Sequence, residues 1–411
     1  MNILLLQGPM GPFFARLRDQ LQAEGHTVYK INFNGGDVHY YQDERTHTFQ
    51  GRLTEWEEYL HNFLSRRRIQ AIFAYGDCRY YHRIATRMAK EHAVNIYYYE
   101  EGYLRPNFIT LEKGGVNANS PICRLKSIPG RDTNIIPSEE LKSDFLFRIW
   151  YASVYYLIGH LTKKKFPHYR HHRSFNPYYE LRCWLRAYWR KLIHYFPDWI
   201  KLNRLIRCHS DQYFFVPLQI RDDAQIKKHS KYDSIDSFIH EVMASFARHA
   251  PLEQQLLFKH HPLDRGHTSY QKTIDRLTKK FGLKGRVTYV LQGANPVILQ
   301  HCRGVITINS TMGFSALVHG KQTLALGKAV YKREGLTFSG ELDQFWFVSK
   351  TVDKSAVQQL RSYILENTQI SGSFYRRIPD LESTYSLVVR SLKEVRTEMK
   401  TPIVGSQNQV I

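Results

Sequence analysis

Short apolar runs alternate with amphipathic stretches over most of this chain of 411 residues. The run NILLLQG is followed by the helical pattern FFARLRDQLQAEG. HTVYKINF, QAIFAYG and VNIYYYEEG are further apolar runs, also separated by helical patterns. Nearly continuous apolar strands that alternate with helices are typical of a parallel sheet covered on both faces. The sequence therefore predicts an α/β domain over residues 1–135, in which NGGD, residues 34–37, is a turn.

The same alternation returns after residue 209. DQYFFVPLQ, QQLLFKHHP, RVTYVL, GVITINS and QTLALG are predicted strands with helices between them. They predict a second α/β domain over residues 210–350, followed by C-terminal helices and a polar tail over 351–411. Two such domains in tandem resemble the two-lobed glycosyltransferases. We therefore expect two Rossmann-like domains in a GT-B-like arrangement, with the ligand in the cleft at the carboxyl ends of strands.

The segment between the domains, residues 136–209, is helical in pattern, basic and aromatic. From Phe147 to His209 it contains 13 Lys or Arg residues against two acidic residues, and four of the six tryptophans. The whole chain has a net charge of +21, which requires an anionic partner. A basic aromatic segment binds nucleic acid or an anionic membrane. No motif of a common RNA or DNA module is present, so the sequence favours a membrane surface and no nucleic acid.

One helix of this segment is predicted over YYELRCWLRAYWRKLIHY. It is amphipathic, because one face is apolar and another is cationic. The helix is either a connector packed on the body with a solvated cationic face, or a membrane-facing element. The apolar face comprises Leu181, Trp184, Leu185, Tyr188 and Leu192, and the cationic face Arg182, Arg186 and Arg190.

Two apolar stretches have some features of a membrane span or a secretion signal. FLFRIWYASVYYLIGHL has 17 residues and includes Arg148 and His160, whereas a membrane span needs about 20 largely uncharged residues. It is therefore predicted to be a buried or interfacial helix. The N-terminal MNILLLQGPMGPFF lacks the basic region and the long apolar core of a signal peptide, so a cytoplasmic location is expected. The five cysteines contain no CxxC, which argues against a disulfide framework or a zinc site.

Two strand ends of the first predicted domain suggest chemistry. Gly8 and Gly11, after NILLL, allow backbone to approach a ligand, but a tight structural turn is an equal alternative. Glu100 and Glu101, after NIYYY, offer one carboxylate as a general base to an acceptor hydroxyl. The alternative is that both are solvated loop charges.

Two strand ends of the second predicted domain also carry residues that suggest chemistry. After VPLQ come Arg221, Asp222 and Asp223, where an ionised aspartate can act as a nucleophile or cap a turn. After GVITI come Ser310 and Thr311 at a predicted helix start, which suits a phosphate or simple capping. The chain has no DxD triplet, so no metal is expected.

The stretch LFKHHPLDRG places two adjacent histidines at another strand end. His260 and His261 point to opposite faces of an extended chain, so a joint metal site is not expected. One histidine directed towards the ligand, beside Lys259 and Arg265, suits a phosphate instead.

Seven motifs in order carry a resemblance to a known family. They are QGPMGPFF, FNGGD, EEGYLRPNFITLE with GVNANS, VPLQIRDDAQ, FKHHPLDRG, QGANP and INSTMGFSALVHGKQTLALG. The chain resembles capsule polysaccharide proteins of the KpsS (LipB) type over nearly its whole length. That resemblance implies a retaining β-Kdo transferase of a Gram-negative bacterium. Such an enzyme moves Kdo from CMP-Kdo to lysophosphatidylglycerol, which starts the poly-Kdo linker of a group 2-type capsule.

The resemblance also implies roles for individual residues. Glu100-Glu101-Gly102 corresponds to an acidic motif that supplies the acid/base, with Glu101 favoured and Glu100 as the alternative. His261 and Pro262 correspond to an HP motif that contacts CMP.

Further binding roles follow from the same correspondence. Lys259 lies beside the HP motif, and Ser310 and Thr311 are expected to contact the phosphate of CMP from the side opposite His261. Arg105 or Arg221 is expected to neutralise the carboxylate of Kdo.

The nucleophile is implied by spacing within the family. Related transferases place an aspartate roughly 35 residues before the HP motif, and Asp223 lies 38 residues before His261. Asp222 is the fallback.

The resemblance also implies the partners and the location. They are CMP-Kdo, lysophosphatidylglycerol, the anionic inner-membrane surface, to which the protein binds peripherally from the cytoplasm, and other capsule assembly proteins. No cofactor is expected beyond the donor substrate. The alternatives are a family transferase with another CMP-sugar or acceptor, and a non-catalytic export or scaffold protein.

Overall fold

The protein is represented by a computed structural model that describes residues 1–105, 107–129, 144–171, 175–221, 224–348 and 351–376. The chain divides into two units. Unit 1 comprises Met1–Val116 and the described parts of Pro137–Arg170 and Asn367–Ile411. Unit 2 comprises the described parts of Asn117–Ile136 and His171–Glu366. The segment predicted as one insertion, residues 136–209, is thus divided between the units, and so is the predicted C-terminal region.

Unit 1 is an α/β unit whose sheet, in the described residues, has the strand order β12-β6-β5-β4-β1-β2-β3. Strands β1 to β5 are parallel, whereas β6 and β12 pair antiparallel at one edge. The C-terminal strand β12 was not anticipated. The elements are β1 Asn2–Leu5, α1 Phe13–Ala23, β2 Thr27–Asn32, α2 Gly35–Tyr40, β3 Thr46–Thr48, α3 Trp56–Arg67, β4 Ala71–Tyr75, α4 Tyr80–Glu91, β5 Asn95–Glu101, β6 Phe108–Lys113, α5 Phe145–Leu161 and, after unit 2, β12 Gln369–Ser371.

Strands β1, β2, β4 and β5 form where the apolar runs predicted them, because this part of the sheet is buried between helices on both faces. Helix α1 covers one face with Phe13, Leu17 and Leu21, which share one side of the helix. The prediction of a turn at NGGD is wrong. The Asn34 side chain accepts the N–H groups of Gly36 and Asp37 and caps the short helix α2.

Unit 2 contains a parallel sheet with the order β11-β10-β7-β8-β9 among the described residues. All five strands predicted for this region are confirmed. Its elements are α6 Pro177–Ile193, α7 Tyr195–His209, β7 Tyr213–Pro217, α8 Ala224–His229, α9 Ile235–His249, β8 Gln255–Lys259, α10 Gln271–Lys280, β9 Val287–Val290, α11 Asn295–His301, β10 Gly304–Thr307, α12 Thr311–Val318, β11 Gln322–Ala325, α13 Leu342–Phe345 and α14 Lys354–Thr368. The predicted α/β class with two Rossmann-like units is confirmed.

The basic aromatic region folds as helices α5, α6 and α7, as predicted. Helix α5 has the same bounds as the apolar stretch of 17 residues that predicted it. In the described part of the chain, no helix is long and apolar enough to cross a membrane. The solvated cationic face proposed for α6 is wrong in part, because Arg186 and Arg190 donate to backbone carbonyls of the body. The apolar side chains of α6 are exposed instead.

Candidate active site

The first strand of each sheet lies at the point where the strand order reverses. In unit 1 the chain goes from β1 to β2 on one side and then crosses to β4 on the other. In unit 2 it goes from β7 to β8 and β9, and then crosses to β10. Ligands of open α/β sheets bind at the carboxyl ends of the strands beside such a reversal. The two strand-end regions are therefore the places where functional side chains are expected.

In unit 1, Gln7 follows β1 and connects the two sides of the reversal. Arg79, in the loop after β4, donates to the Gln7 Oε1 atom at 2.9 Å and to the carbonyl of Gly8 at 3.3 Å. The guanidinium of Arg79 also lies 5.0 Å from the centre of the Tyr75 ring. Sequence reasoning missed Arg79, although the Gly-Asp pair after the apolar run QAIFAY marks a strand end like the others.

A buried polar network occupies the other side of this strand end. The Gln7 Nε2 atom lies 3.2 Å from Asp37 Oδ2, 3.0 Å from the Tyr155 hydroxyl and 2.9 Å from the Tyr169 hydroxyl. Tyr155 donates to Asp37 Oδ1 at 3.0 Å and accepts from Asn34 at 2.7 Å. These contacts fix α5 to the ends of β1 and β2. The polar side chains of the QGP and NGGD motifs, those of Gln7, Asn34 and Asp37, are thus hydrogen-bonded in the contact between α5 and the strand ends.

Close packing against α5 or α1 also explains three glycines of these motifs. A Cβ atom on Gly36 would lie 2.6 Å from the Tyr155 ring, and one on Gly11 would lie 3.0 Å from the Tyr151 ring. A Cβ atom on Gly8 would lie 2.9 Å from the ring of Phe14. This packing is a structural reason for Gly8 and Gly11, and the binding role of the two glycines stays a prediction.

The two glutamates at the end of β5 are in different environments. Glu100 accepts the N–H of Glu101 at 3.0 Å, and burial raises the pKa of its carboxyl to about 7. Glu101 instead forms an ion pair with Arg148 of α5 at 3.1 Å. The Arg148 guanidinium lies in turn 5.3 Å from the centre of the Tyr375 ring. A base that acts near neutral pH needs a carboxyl with a raised pKa, which Glu100 has.

In unit 2, Gln219 connects the ends of β7 and β10, the strands on either side of the reversal. The Gln219 Nε2 atom donates to Asn309 Oδ1 at 2.9 Å, and the Asn309 N–H donates to Gln219 Oε1 at 3.2 Å. Ser310 follows and caps α12, because its hydroxyl accepts the N–H of Met312 at 3.2 Å. Capping is a structural reason for Ser310. Because α12 begins directly after Ser310, its N-terminus also lies at the strand-end edge, where its free N–H groups favour an anion.

The adjacent histidines after β8 have different surroundings, as the alternation of an extended chain predicts. His260 is buried, its Nδ1 atom lies 2.7 Å from the Tyr289 hydroxyl, and burial lowers the pKa of its ring. His261 is half-buried, and its Nδ1 atom accepts the N–H of Leu263 at 3.2 Å. In the neutral ring Nε2 is then the nitrogen that carries the proton and can donate.

Further cations lie at this edge. The Lys259 ammonium donates to Asn295, and burial lowers its pKa to about 8. Arg265 donates to the carbonyl of Leu291, the residue after β9, at 3.0 Å. Arg221 is exposed beyond the end of β7. The strand ends of unit 2 are therefore rich in cations and N–H donors.

Two of the residues assigned from sequence lie outside the described residues, namely Asp222 and Asp223. Pro262 begins the 3-10 turn Pro262–Asp264 directly after His261. In unit 1, Arg105 is exposed, and its Nε atom donates to the carbonyl of Gly102 at 3.2 Å.

Comparison with known proteins identifies the class. The family model for capsule polysaccharide biosynthesis proteins matches residues 70–375, and the chain belongs to this family. It is 41% identical over 376 residues to the capsule polysaccharide export protein KpsS of Escherichia coli, covering 90% of this chain and 96% of that protein. It is 39% identical over 386 residues to the capsule polysaccharide modification protein LipB of Neisseria meningitidis serogroup B, covering 92% of each. The resemblance predicted from the motifs is confirmed.

Solved structures are matched at lower similarity. The β-Kdo 2,7 transferase KpsC of Thermosulfurimonas dismutans matches with a TM-score of 0.41 and 16% identity, over 88% of this chain and 89% of that one. Anabaena HepE in complex with UDP and glucose matches with a TM-score of 0.37 and 11% identity, over 96% of this chain and 100% of that one.

Proposed function

We propose that this protein is a retaining β-Kdo glycosyltransferase that moves Kdo from CMP-Kdo to lysophosphatidylglycerol, which starts the poly-Kdo linker of a capsule. Membership of the capsule polysaccharide biosynthesis family supports a role in capsule assembly. Two observations, each within one unit, carry the enzymatic proposal: unit 1 has a strand-end carboxyl of raised pKa, and unit 2 has a cationic strand-end edge. An export scaffold needs neither feature.

The donor is assigned to unit 2. The His261 Nε2–H and the N-terminus of α12 at Ser310 and Thr311 suit the phosphate of CMP, because both offer N–H donors to an anion. Lys259 supports the site from the end of β8, where it also holds Asn295. Arg221, exposed beyond β7, is assigned to the carboxylate of Kdo, with Arg105 as the alternative.

The proposed reaction is a double displacement, with Asp223 as the nucleophile and Asp222 as the alternative. The carboxylate forms a bond to the anomeric carbon of Kdo while the bond from that carbon to the phosphate oxygen breaks and CMP leaves. The acceptor hydroxyl then attacks the same carbon and displaces the aspartate. Two inversions retain the β configuration. Both aspartates lie beyond the described residues, so this step rests on the resemblance.

The base is assigned to Glu100, although the resemblance favoured Glu101. The Glu101 carboxylate is already neutralised by Arg148. Glu100 has a pKa of about 7, so near neutral pH it is available both to accept the proton of the acceptor hydroxyl and to release it afterwards.

The test is a product assay with the purified protein. CMP-Kdo and lysophosphatidylglycerol are incubated with the enzyme, and the lipid product is analysed by mass spectrometry. The proposal expects a mass increase of one Kdo residue or more and release of CMP. A parallel reaction with CMP-sialic acid tests the other CMP-sugar alternative. Release of no CMP from either donor would support the scaffold alternative and contradict the proposal.

A further inference from the structure

The helical pair α6–α7, residues 177–209, exposes the side chains that helices on a soluble body normally bury. Leu185 and Trp189 of α6 are each 63% exposed, and Phe196 and Trp199 of α7 are exposed to a similar degree. Most of the exposed large hydrophobic side chains in the described chain lie between residues 145 and 200. Large apolar patches on a soluble protein mark interaction sites, so this surface indicates a partner.

Helix α6 is attached to unit 2 by polar groups and a close backbone approach. Arg186 donates to the carbonyl of Gly266 at 2.5 Å, and Arg190 donates to the carbonyls of Arg265 and Thr268, each at 2.6 Å. The backbone of Cys183 occupies the space that a Cβ atom on Gly266 would need. The face that carries Cys183, Ala187 and Arg190 is thus turned inward, Arg186 reaches the body from the edge of that face while staying exposed, and the apolar face is turned outward.

Helix α7 is attached in a similar way. The buried Asp198 carboxylate accepts the N–H groups of Leu291 and Gln292 at 2.8 and 3.1 Å, at the end of β9. Leu202 and Leu205 pack into the core beside it. The inward face of α7 is therefore held against the body by hydrogen bonds and apolar packing, and the aromatic residues at the start of the helix are exposed.

The charges of the pair are also divided between its two sides. Its two acidic residues are turned towards the body, Asp198 as described and Glu180 beside His267 at 3.2 Å. Basic side chains remain exposed along both helices. The outward surface is therefore apolar, aromatic and cationic, and the exposed cations of the pair are Arg182, Arg186, Lys191, Lys201, Arg204 and Arg207.

We propose that α6–α7 is a membrane-docking surface that lies in the plane of an anionic leaflet, with its Leu, Tyr and Trp side chains at the boundary between headgroups and acyl chains. Apolar and aromatic side chains flanked by cations are characteristic of helices that bind in this way. The cations pair with anionic headgroups, which a second copy of this basic chain does not supply. This inference deepens the proposed function, since it specifies how the enzyme reaches a lipid acceptor.

The surface predicts a binding mode different from that of a purely electrostatic patch. Salt shortens the Debye length from about 8 Å at 0.15 M to about 3 Å at 1 M, which releases proteins bound by charge alone. Insertion of apolar side chains resists salt. We therefore expect the protein to stay largely bound to vesicles at 1 M NaCl.

The test uses the full chain and vesicles of phosphatidylethanolamine with phosphatidylglycerol, without lysophospholipid or CMP-sugar. Leu185→Glu with Trp189→Glu is expected to lower the vesicle partition coefficient at least about 10-fold, since burial of two large apolar side chains is lost. The matched control is Leu252→Glu with Phe347→Glu, which changes two exposed apolar side chains outside the helical pair. The control is expected to bind like the unchanged protein.

A second measurement needs no charge introduced into the pair. Brominated acyl chains are expected to quench the tryptophan fluorescence of a Trp150→Phe protein, in which the exposed tryptophan of α5 is removed, because Trp184, Trp189 and Trp199 are exposed on the pair whereas Trp56 and Trp346 are buried. No quenching, equal loss of binding in both double variants, or a salt-resistant dimer that the first variant converts to monomer would overturn the proposal. Because no substrate is present, a failed Kdo transfer leaves this result unaffected.

Discussion

The strand-end regions of the two units share a framework and differ in chemistry. In each, a glutamine two residues beyond the end of the first strand connects the two sides of the reversal, Gln7 to Arg79 in unit 1 and Gln219 to Asn309 in unit 2. The edge of unit 1 carries a carboxyl of raised pKa, Glu100. The edge of unit 2 carries cations and the N-terminus of an α-helix. The same framework can thus serve proton transfer in one unit and anion binding in the other.

The difference follows from what each edge is packed against. In unit 1, α5 covers the ends of β1 and β2, and its Tyr155 forms hydrogen bonds with the side chains of Gln7 and Asp37 there. In unit 2, α6 holds the loop after His261 through Arg186 and Arg190, and His261 itself is half-buried. The neighbouring helices therefore contribute to the different surroundings of the strand-end residues in the two units.

The largest expected effect tests the acidic edge. Glu100→Gln removes the proposed base and is expected to lower turnover by about 10²- to 10⁴-fold, the usual contribution of general acid–base catalysis. Glu101→Gln removes an ion pair and should cost less. The rate of the unchanged enzyme should rise as pH increases to about 7, because Glu100 must be deprotonated to accept a proton. Initial rates of CMP release between pH 5 and 9 measure both effects, and a larger loss in Glu101→Gln would reverse the assignment.

A packing variant tests whether α5 holds the edge of unit 1. Gly36→Ala places a Cβ atom against the Tyr155 ring and is expected to lower the free energy of unfolding by about 1–3 kcal/mol, as overpacking does. Tyr155→Ala removes the obstructing ring, so the double variant should be less destabilised than the sum of the two single variants. Denaturant titration gives all three values. Strict additivity would show that the two residues are not in contact.

Substitutions of the adjacent histidines are expected to affect CMP binding and thermal stability separately in unit 2. His261→Ala is expected to weaken CMP binding by about 1–3 kcal/mol, the cost of a hydrogen bond to a charged group. His260→Ala should leave the CMP contact in place but lower thermal stability, because His260 is buried against Tyr289. Calorimetry with CMP and thermal denaturation measure the two effects. Unchanged CMP affinity in His261→Ala would remove this residue from the site.

A further prediction concerns the pH dependence of stability. Burial raises the pKa of Glu100 from 4.5 to about 7, so the folded protein favours the protonated form. The resulting destabilisation is absent below pH 4.5, grows as pH rises and is complete above pH 7. Glu100→Gln should therefore melt at a higher temperature than the unchanged protein at pH 8, and the difference should shrink at pH 5. An equal difference at both values would contradict the raised pKa.

Strand positions could be predicted from the sequence because burial on both faces leaves continuous apolar runs. The runs NILLLQG and GVITINS identified β1 and β10, and so placed Gln7 and Asn309 at strand ends. The environments of Glu100 and Glu101 could not be predicted, since Arg148 comes from a helix more than 40 residues away in sequence. Adjacent identical residues have the same local pattern, and tertiary contacts alone make them different.

The orientation of α6 could not be predicted from the sequence pattern alone. Amphipathicity shows that a helix has two faces, but it does not show which face meets the body. Here the carbonyls of Arg265 and Thr268 hold Arg190, which reverses the usual orientation. The glycine of LDRG is a signal of this contact, because Gly266 leaves room for the backbone of α6.

The division of roles between the two edges is tested most directly by measuring CMP affinity and turnover in the same two variants. Glu100→Gln is expected to bind CMP like the unchanged protein and to lose turnover at every concentration of CMP-Kdo. His261→Ala is expected to bind CMP about 5- to 150-fold more weakly, as the loss of about 1–3 kcal/mol implies, and to recover much of its turnover when CMP-Kdo is saturating. Loss of CMP affinity in Glu100→Gln together with unchanged affinity in His261→Ala would contradict the account.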